Sequence, residues 1–235
     1  MEILTENTKV MAKVMTKVKI CGLTSPEDAL AAQEAGADFL GFVNAENSKR
    51  FLTEDEISMI IAEITPKVPS VLVCHSLDTS DILNRFFASS CDILQQHAPL
   101  HPFEYEELKN QVPTLISNVS IPSELHGDIP DYLIERVSLL SQYSDYILFD
   151  TKVQTQNSTE IGGTGKTYDW DIAVELAEYA EVPVMIAGGL NPLNVSDAIS
   201  KIKPFGVDVA SGVESAPGVK DYSLIKEFVR AAKSA

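Results

Sequence analysis

The chain has 235 residues, 45% of them hydrophobic, and carries a formal net charge of −16. That length and composition suit one α/β domain with a sizeable core, and no apolar run approaches the roughly 20 residues of a membrane span. The acidic residues spread over segments such as EDEI, EYEELKN and DWDIAVELAEYAE, a solvated surface without the basic patch that nucleic acid requires.

Residues 1–16 are polar and mixed and read as an N-terminal extension, with residues 17–235 forming the catalytic domain. No basic start followed by a continuous apolar stretch marks a secretion signal, so the expected location is cytoplasmic. β-rich runs then alternate with helical spacing to the end of the chain. The strands are expected at residues 18–21, 39–43, 70–74, 92–95, 114–119, 146–150, 182–187 and 206–210. Between them, Ser25-Pro26 places a cap before a proline at the first helical position, Thr53 to Glu56 has the form of a capping box, and Asn191-Pro192 repeats the first pattern. Three cysteines, Cys21, Cys74 and Cys91, show neither paired nor metal-type spacing, which argues against disulfides and a zinc site. Cys74 and Cys91 fall inside apolar patterns, where burial as small hydrophobes is expected.

Eight βα units fit either a closed barrel or a doubly wound open sheet. The first strand-to-helix turn reads CGLTSPED, not the GxGxxG of a doubly wound dinucleotide binder. The expected fold is therefore α/β, a single-domain (β/α)8 TIM barrel. The glycine-rich AGGLNP and ASGVESAPG follow the seventh and eighth strands, where barrels of this kind commonly hold phosphate. The expected partner is a small phosphorylated molecule, with neither nucleic acid nor membrane.

Active sites of such barrels gather at the C-terminal strand ends. Cys21 ends the first strand, His97 follows the fourth and Asp150 ends the sixth. Alternation puts Lys19 with Cys21, Gln95 with His97, and Leu148 with Asp150 on common faces. Inward-facing, a thiol and a carboxyl suit proton abstraction at one substrate atom coupled to protonation at another; neither a metal nor a cofactor is expected. Taken singly, Cys21 could merely pack the barrel top and Asp150 could cap a helix. Lys19 and Asp208, charged residues in apolar strands that neighbour each other in a closed barrel, are expected to pair inside it.

With these residues in view, the chain resembles the phosphoribosylanthranilate isomerases of tryptophan biosynthesis, from about Lys17 to Val229. KICGLT, SKRFLT, the QxH of DILQQHA, ILFDT, GGTGKTYDW, AGGLNPLNV and PFGVDVASGVESAPGVKD carry the likeness. It implies a barrel that opens the furanose ring of N-(5-phosphoribosyl)anthranilate in an Amadori rearrangement. It further implies Cys21 as the general base at the sugar C2 proton and Asp150 as the general acid at the ring oxygen. An activated thiol and a raised carboxyl pKa are then expected. Arg50 resembles the arginine that pairs with the anthranilate carboxylate, His97 a substrate contact, and Gly188, Gly189, Ser211 and Gly212 the donors of backbone N–H groups to the phosphate. A monomer or a homodimer fits equally.

The chain departs from the family pattern in places. QQHA replaces QLHG, which puts Gln96 where packing wants an aliphatic side chain; Asn44 and its neighbours stand where an aromatic usually follows GF; and residues 121–143 match loosely. GGTGKT lacks the GxxxxGK spacing of a nucleotide-binding loop. The alternatives are a related barrel isomerase acting on another aminal, which would use paired aspartates in place of Cys21, and a silent barrel that binds without converting.

Overall fold

The computed structural model describes residues 15–65, 67–154, 159–161 and 167–235. In chain order the strands are β1 (Lys17–Cys21), β2 (Phe39–Asn44), β3 (Ser70–Cys74), β4 (Ile93–Gln96), β5 (Leu115–Pro122), β6 (Tyr146–Gln154), β7 (Thr159–Ile161), β8 (Val184–Ile186), β9 (Gly206–Val209), β10 (Glu214–Ala216) and β11 (Val219–Lys220). Parallel pairing runs β1 to β6, then β8 and β9, and returns to β1 through Lys19 opposite Asp208. Eight strands thus close the expected barrel. The short β7 runs antiparallel to the end of β6, and β10 and β11 form a separate antiparallel hairpin.

Among the described residues the α-helices are α1 (Pro26–Ala35), α2 (Glu54–Ile64), α3 (Thr79–Ser89), α4 (Pro102–Gln111), α5 (Asp131–Tyr143), α6 (Trp170–Ala177), α7 (Val195–Ile202) and α8 (Tyr222–Ser234). The Ser25 hydroxyl accepts from Asp28 N–H, and Thr53 and Glu56 form the expected reciprocal box. Asn191-Pro192 does not start a helix. The Asn191 side chain accepts from Leu193 N–H in a local turn, and α7 begins at Val195. A short polar side chain that finds its own backbone donor competes with helix formation there.

Both faces of a parallel sheet are covered, so the strands carry two cores. Outward residues such as Val18, Ile20, Leu40, Leu72 and Val207 pack against the helices. Inward, Phe39, Val71, Ile93, Ile116, Leu148, Met185 and Ala187 fill the barrel. Cys74 and Cys91 are free and buried, as expected, Cys91 just ahead of β4. Of the 16-residue N-terminal extension, only Met15 and Thr16 lie among the described residues. Among those residues no helix is long and apolar enough to cross a membrane.

Candidate active site

Above the apolar filling the inward face turns polar. Lys19 and Cys21 point into the barrel from β1, Gln95 and His97 from β4 and its end, Asn118 from β5, Asp150 from β6 and Asp208 from β9, all buried. Gly41, paired with Cys21 on β2, leaves them room: a Cβ there would lie 3.1 Å from both Cys21 Sγ and Lys19 Nζ. The thiol and the ammonium therefore share the space over one glycine.

Lys19 Nζ donates to Asp208 Oδ1 at 3.1 Å, the expected internal pair. Burial works against the lysine's charge, but Asp208 and Cys21 outweigh it and hold its pKa above the ordinary value. Burial also dominates at Cys21 and pushes the thiol up, against the downward pull of Lys19 and Lys220. The expected activation of Cys21 is therefore not seen, because burial disfavours a thiolate more than the neighbouring cations favour it.

Asp150 behaves as expected. Burial raises it to about 7, further helped by the charge of Asp208 and opposed by Thr151 N–H, which donates to Oδ1 at 2.7 Å, and by Lys19. It caps no helix; Asp169 performs that role for α6.

His97 is 7% exposed, and neither ring nitrogen has a partner among the described residues. Its ring stacks on His75, with centroids 4.4 Å apart. Burial first, then His75 and Lys19, lower its pKa to about 3, so the imidazole is neutral. Gln95 Oε1, Asn118 Oδ1 and Thr151 Oγ1 are also buried and unpartnered among the described residues. Buried polar atoms at a strand-end mouth call for a ligand or water to satisfy them.

Gly188 and Gly189 follow β8 with φ of 85° and 66°, and Gly212 follows β9. A Cβ on Gly188 would lie 1.9 Å from Thr151 Oγ1, and one on Gly212 would lie 1.9 Å from Leu190 O. These glycines let the two loops interlock. Among the described residues no backbone acceptor is found for the N–H groups of Gly188, Gly189, Ser211 and Gly212. Such N–H groups suit an anion. GGTGK, residues 162–166, lies outside the described residues.

Arg50 reaches the mouth from the loop after β2 but is not free: its guanidinium is paired with Glu214. Sequence reasoning missed this contact, as it missed Lys220 on Glu214 and His75 on His97. Two departures prove structural. Gln96 faces outward and donates to Ser76 O and Ala98 O, tying together the loops after β3 and β4. Asn44 donates to Leu52 O and accepts from Arg85 Nη1.

The family model of N-(5'-phosphoribosyl)anthranilate (PRA) isomerase matches residues 18–231. A protein of Methanothrix thermoacetophila described as N-(5'-phosphoribosyl)anthranilate isomerase is 39% identical, over 94% of this chain and 99% of its own. A crystal structure of phosphoribosyl anthranilate isomerase with reduced 1-(o-carboxyphenylamino)-1-deoxyribulose 5-phosphate is 31% identical. It superposes with a TM-score of 0.78, over 94% of this chain and all of the other. Monomers generated from the dimeric enzyme of Thermotoga maritima match with a TM-score of 0.79, at 31% identity and the same coverage.

Proposed function

The chain belongs to the N-(5'-phosphoribosyl)anthranilate isomerase family and is an aldose-ketose isomerase, and from that premise we propose that Cys21 and Asp150 divide its proton transfers. Asp150, protonated, gives its proton to the furanose ring oxygen as the C1–O bond breaks and an iminium forms. The iminium acidifies the adjacent C2–H, and the Cys21 thiolate removes that proton. The resulting enolamine tautomerises to the ketone, 1-(2-carboxyphenylamino)-1-deoxyribulose 5-phosphate. The chemistry requires no cofactor.

The observation that carries this reading is electrostatic. A carboxyl held protonated up to about pH 7 and a thiol face one mouth, and both sense the same Lys19 and Asp208. With the thiol's pKa above the carboxyl's, the reactive form, thiolate with carboxylic acid, is the minor arrangement of a singly protonated pair. Within it, Lys19 and Lys220 favour the thiolate and Asp208 favours the carboxylic acid.

Around this pair, Arg50 receives the anthranilate carboxylate and neutral His97 contacts the sugar. Gly188, Gly189, Ser211 and Gly212 turn their N–H groups to the phosphate. We infer cytoplasmic residence and a monomer or homodimer, the latter supported by the dimeric relative from Thermotoga maritima.

The test follows the loss of N-(5-phosphoribosyl)anthranilate fluorescence with the wild type, Cys21→Ser and Asp150→Asn. Both variants are expected to fall by at least ~10²-fold; a variant retaining wild-type kcat would remove its residue from the mechanism.

A further inference from the structure

Arg50 is held along one edge. Its Nε and Nη2 donate to Glu214 Oε1 and Oε2 at 2.7 and 2.8 Å, a fork-to-fork contact that fixes the guanidinium plane. Glu214 also accepts from Lys220 Nζ at 2.9 Å and from Gly218 N–H at 3.3 Å. Lys220 has a second acceptor, Ala210 O, at 2.9 Å, just past the end of β9. The side chains of Glu214 and Lys220 are 3% and 0% exposed, against 14% for Arg50, so among the three charges Arg50 keeps the most access to solvent.

The surroundings hold this triad in place. Gly22, next to Cys21, has no Cβ, which would otherwise lie 2.3 Å from Arg50 Cδ. Gly218, at φ 85°, lets the hairpin turn press on Lys49 O, where a Cβ would come within 2.8 Å, and Thr24 Oγ1 donates to Gly218 O. The β10–β11 hairpin thus joins the loops that follow β1, β2 and β9.

A guanidinium has five N–H donors. Glu214 engages two of Arg50's, which leaves both N–H groups of Nη1 and one of Nη2 as a second edge. Two cations and one anion leave the triad with one net positive charge. We propose that Glu214 and Lys220 are positioning residues that make Arg50 selective for the aromatic carboxylate of the substrate. Glu214 fixes one edge of the guanidinium, Lys220 cancels the charge of Glu214, and the second edge keeps a net positive charge for the incoming carboxylate. Without Lys220 the Arg50 and Glu214 pair is neutral, and a second carboxylate would meet no net positive charge beside Glu214 in a poorly screened site. This inference rests on the reading of Arg50 as the carboxylate receptor.

The test measures, by calorimetry, the binding of reduced 1-(o-carboxyphenylamino)-1-deoxyribulose 5-phosphate and of the same molecule with hydrogen in place of its carboxylate. The wild type is expected to prefer the carboxylated probe by ~10- to 100-fold, the scale of a charge-assisted contact. Arg50→Met loses that preference; if it does not, the reading of Arg50 itself fails. Lys220→Met loses most of it, and Glu214→Gln combined with Lys220→Met regains it, because the net charge beside the second edge is restored. A wild-type preference in Lys220→Met overturns the proposal while leaving Arg50 as the receptor. No recovery in the double variant also overturns it, since a purely structural clasp would not be mended by a second substitution. Should Lys220→Met not fold, Lys220→Gln takes its place with the same expectations: loss of most of the preference by itself and its return when combined with Glu214→Gln, and failure of either decides against the proposal.

Discussion

The Lys19 ammonium lies 3.1 Å from Asp208 Oδ1 and shares with the Cys21 thiol the space over Gly41, where its charge favours the thiolate, so one buried ion pair reaches from the barrel seam to a reacting group. Asp208 also acts on Asp150, favouring its protonated form. The pair therefore acts on both proton-transfer groups in opposite senses: Lys19 favours the thiolate and the carboxylate, whereas Asp208 favours the thiol and the carboxylic acid.

Lys19→Met leaves Asp208 buried without its cation, and removal of one partner of a buried pair costs about 3–5 kcal/mol. Adding Asp208→Leu removes the stranded charge and is expected to recover stability in urea unfolding. Isomerase activity is not expected to recover with it, because the thiolate still lacks the stronger of the two cations that favour it. Recovery of both would show that the pair serves folding alone.

Asp150 titrates at about 7 in the folded chain, against about 3.9 for an unperturbed aspartate. Between those values the folded state binds more protons than the unfolded state, so this residue's contribution to stability falls as pH rises from about 4 to 7 and levels off above. Asp150→Asn cannot ionise. Relative to the wild type it is expected to gain on the order of 2–4 kcal/mol at pH 8 and little at pH 4. Urea unfolding at the two pH values measures the difference, and an equal gain at both would exclude ionisation as its source.

The pH dependence of kcat/KM is expected to be bell-shaped. It rises through about 7 as the pair loses its first proton, and falls above the ordinary thiol range as it loses the second. The acid and alkaline limbs belong to the pair and not to one residue each. Asp150→Ser removes one titrating member and should abolish the limb near 7 in whatever activity remains; persistence of that limb would assign it to another group.

Gly212→Ala drives a methyl group into Leu190 O, a backbone atom that can retreat only if the two loops separate. A displacement of about 1 Å at a positioning element can cost ~10²-fold. The variant is expected to raise KM and to weaken competitive inhibition by inorganic phosphate in parallel. Raised KM with unchanged phosphate inhibition would place the phosphate elsewhere.

The barrel was legible because its signals are local and repeated. Strand periodicity found all eight barrel strands to within a few residues, with β3 at residues 70–74 as expected, and the caps at Ser25 and Thr53 need only their near neighbours. Lys19 and Asp208 could be paired from sequence because closure fixes which strands adjoin. The contact of Arg50 with Glu214 spans 164 residues between two loops, and no periodicity says which loop charges meet. The same limit hid the stacking of His75 on His97. The direction of the Cys21 shift was missed for a different reason: residue type names a thiol's neighbours, whereas the depth of its burial is a property of the assembled barrel.

The seam between β1 and β9 also sets when a nascent chain can first become active. The thiol is laid down in the first barrel strand, but the anion that settles its neighbouring lysine follows that lysine by 189 residues. Until β9 docks on β1, Lys19 lacks the anion that pairs with it in the closed ring. Turnover can therefore serve as a reporter of ring closure, expected to be silent in forms in which β9 has not met β1.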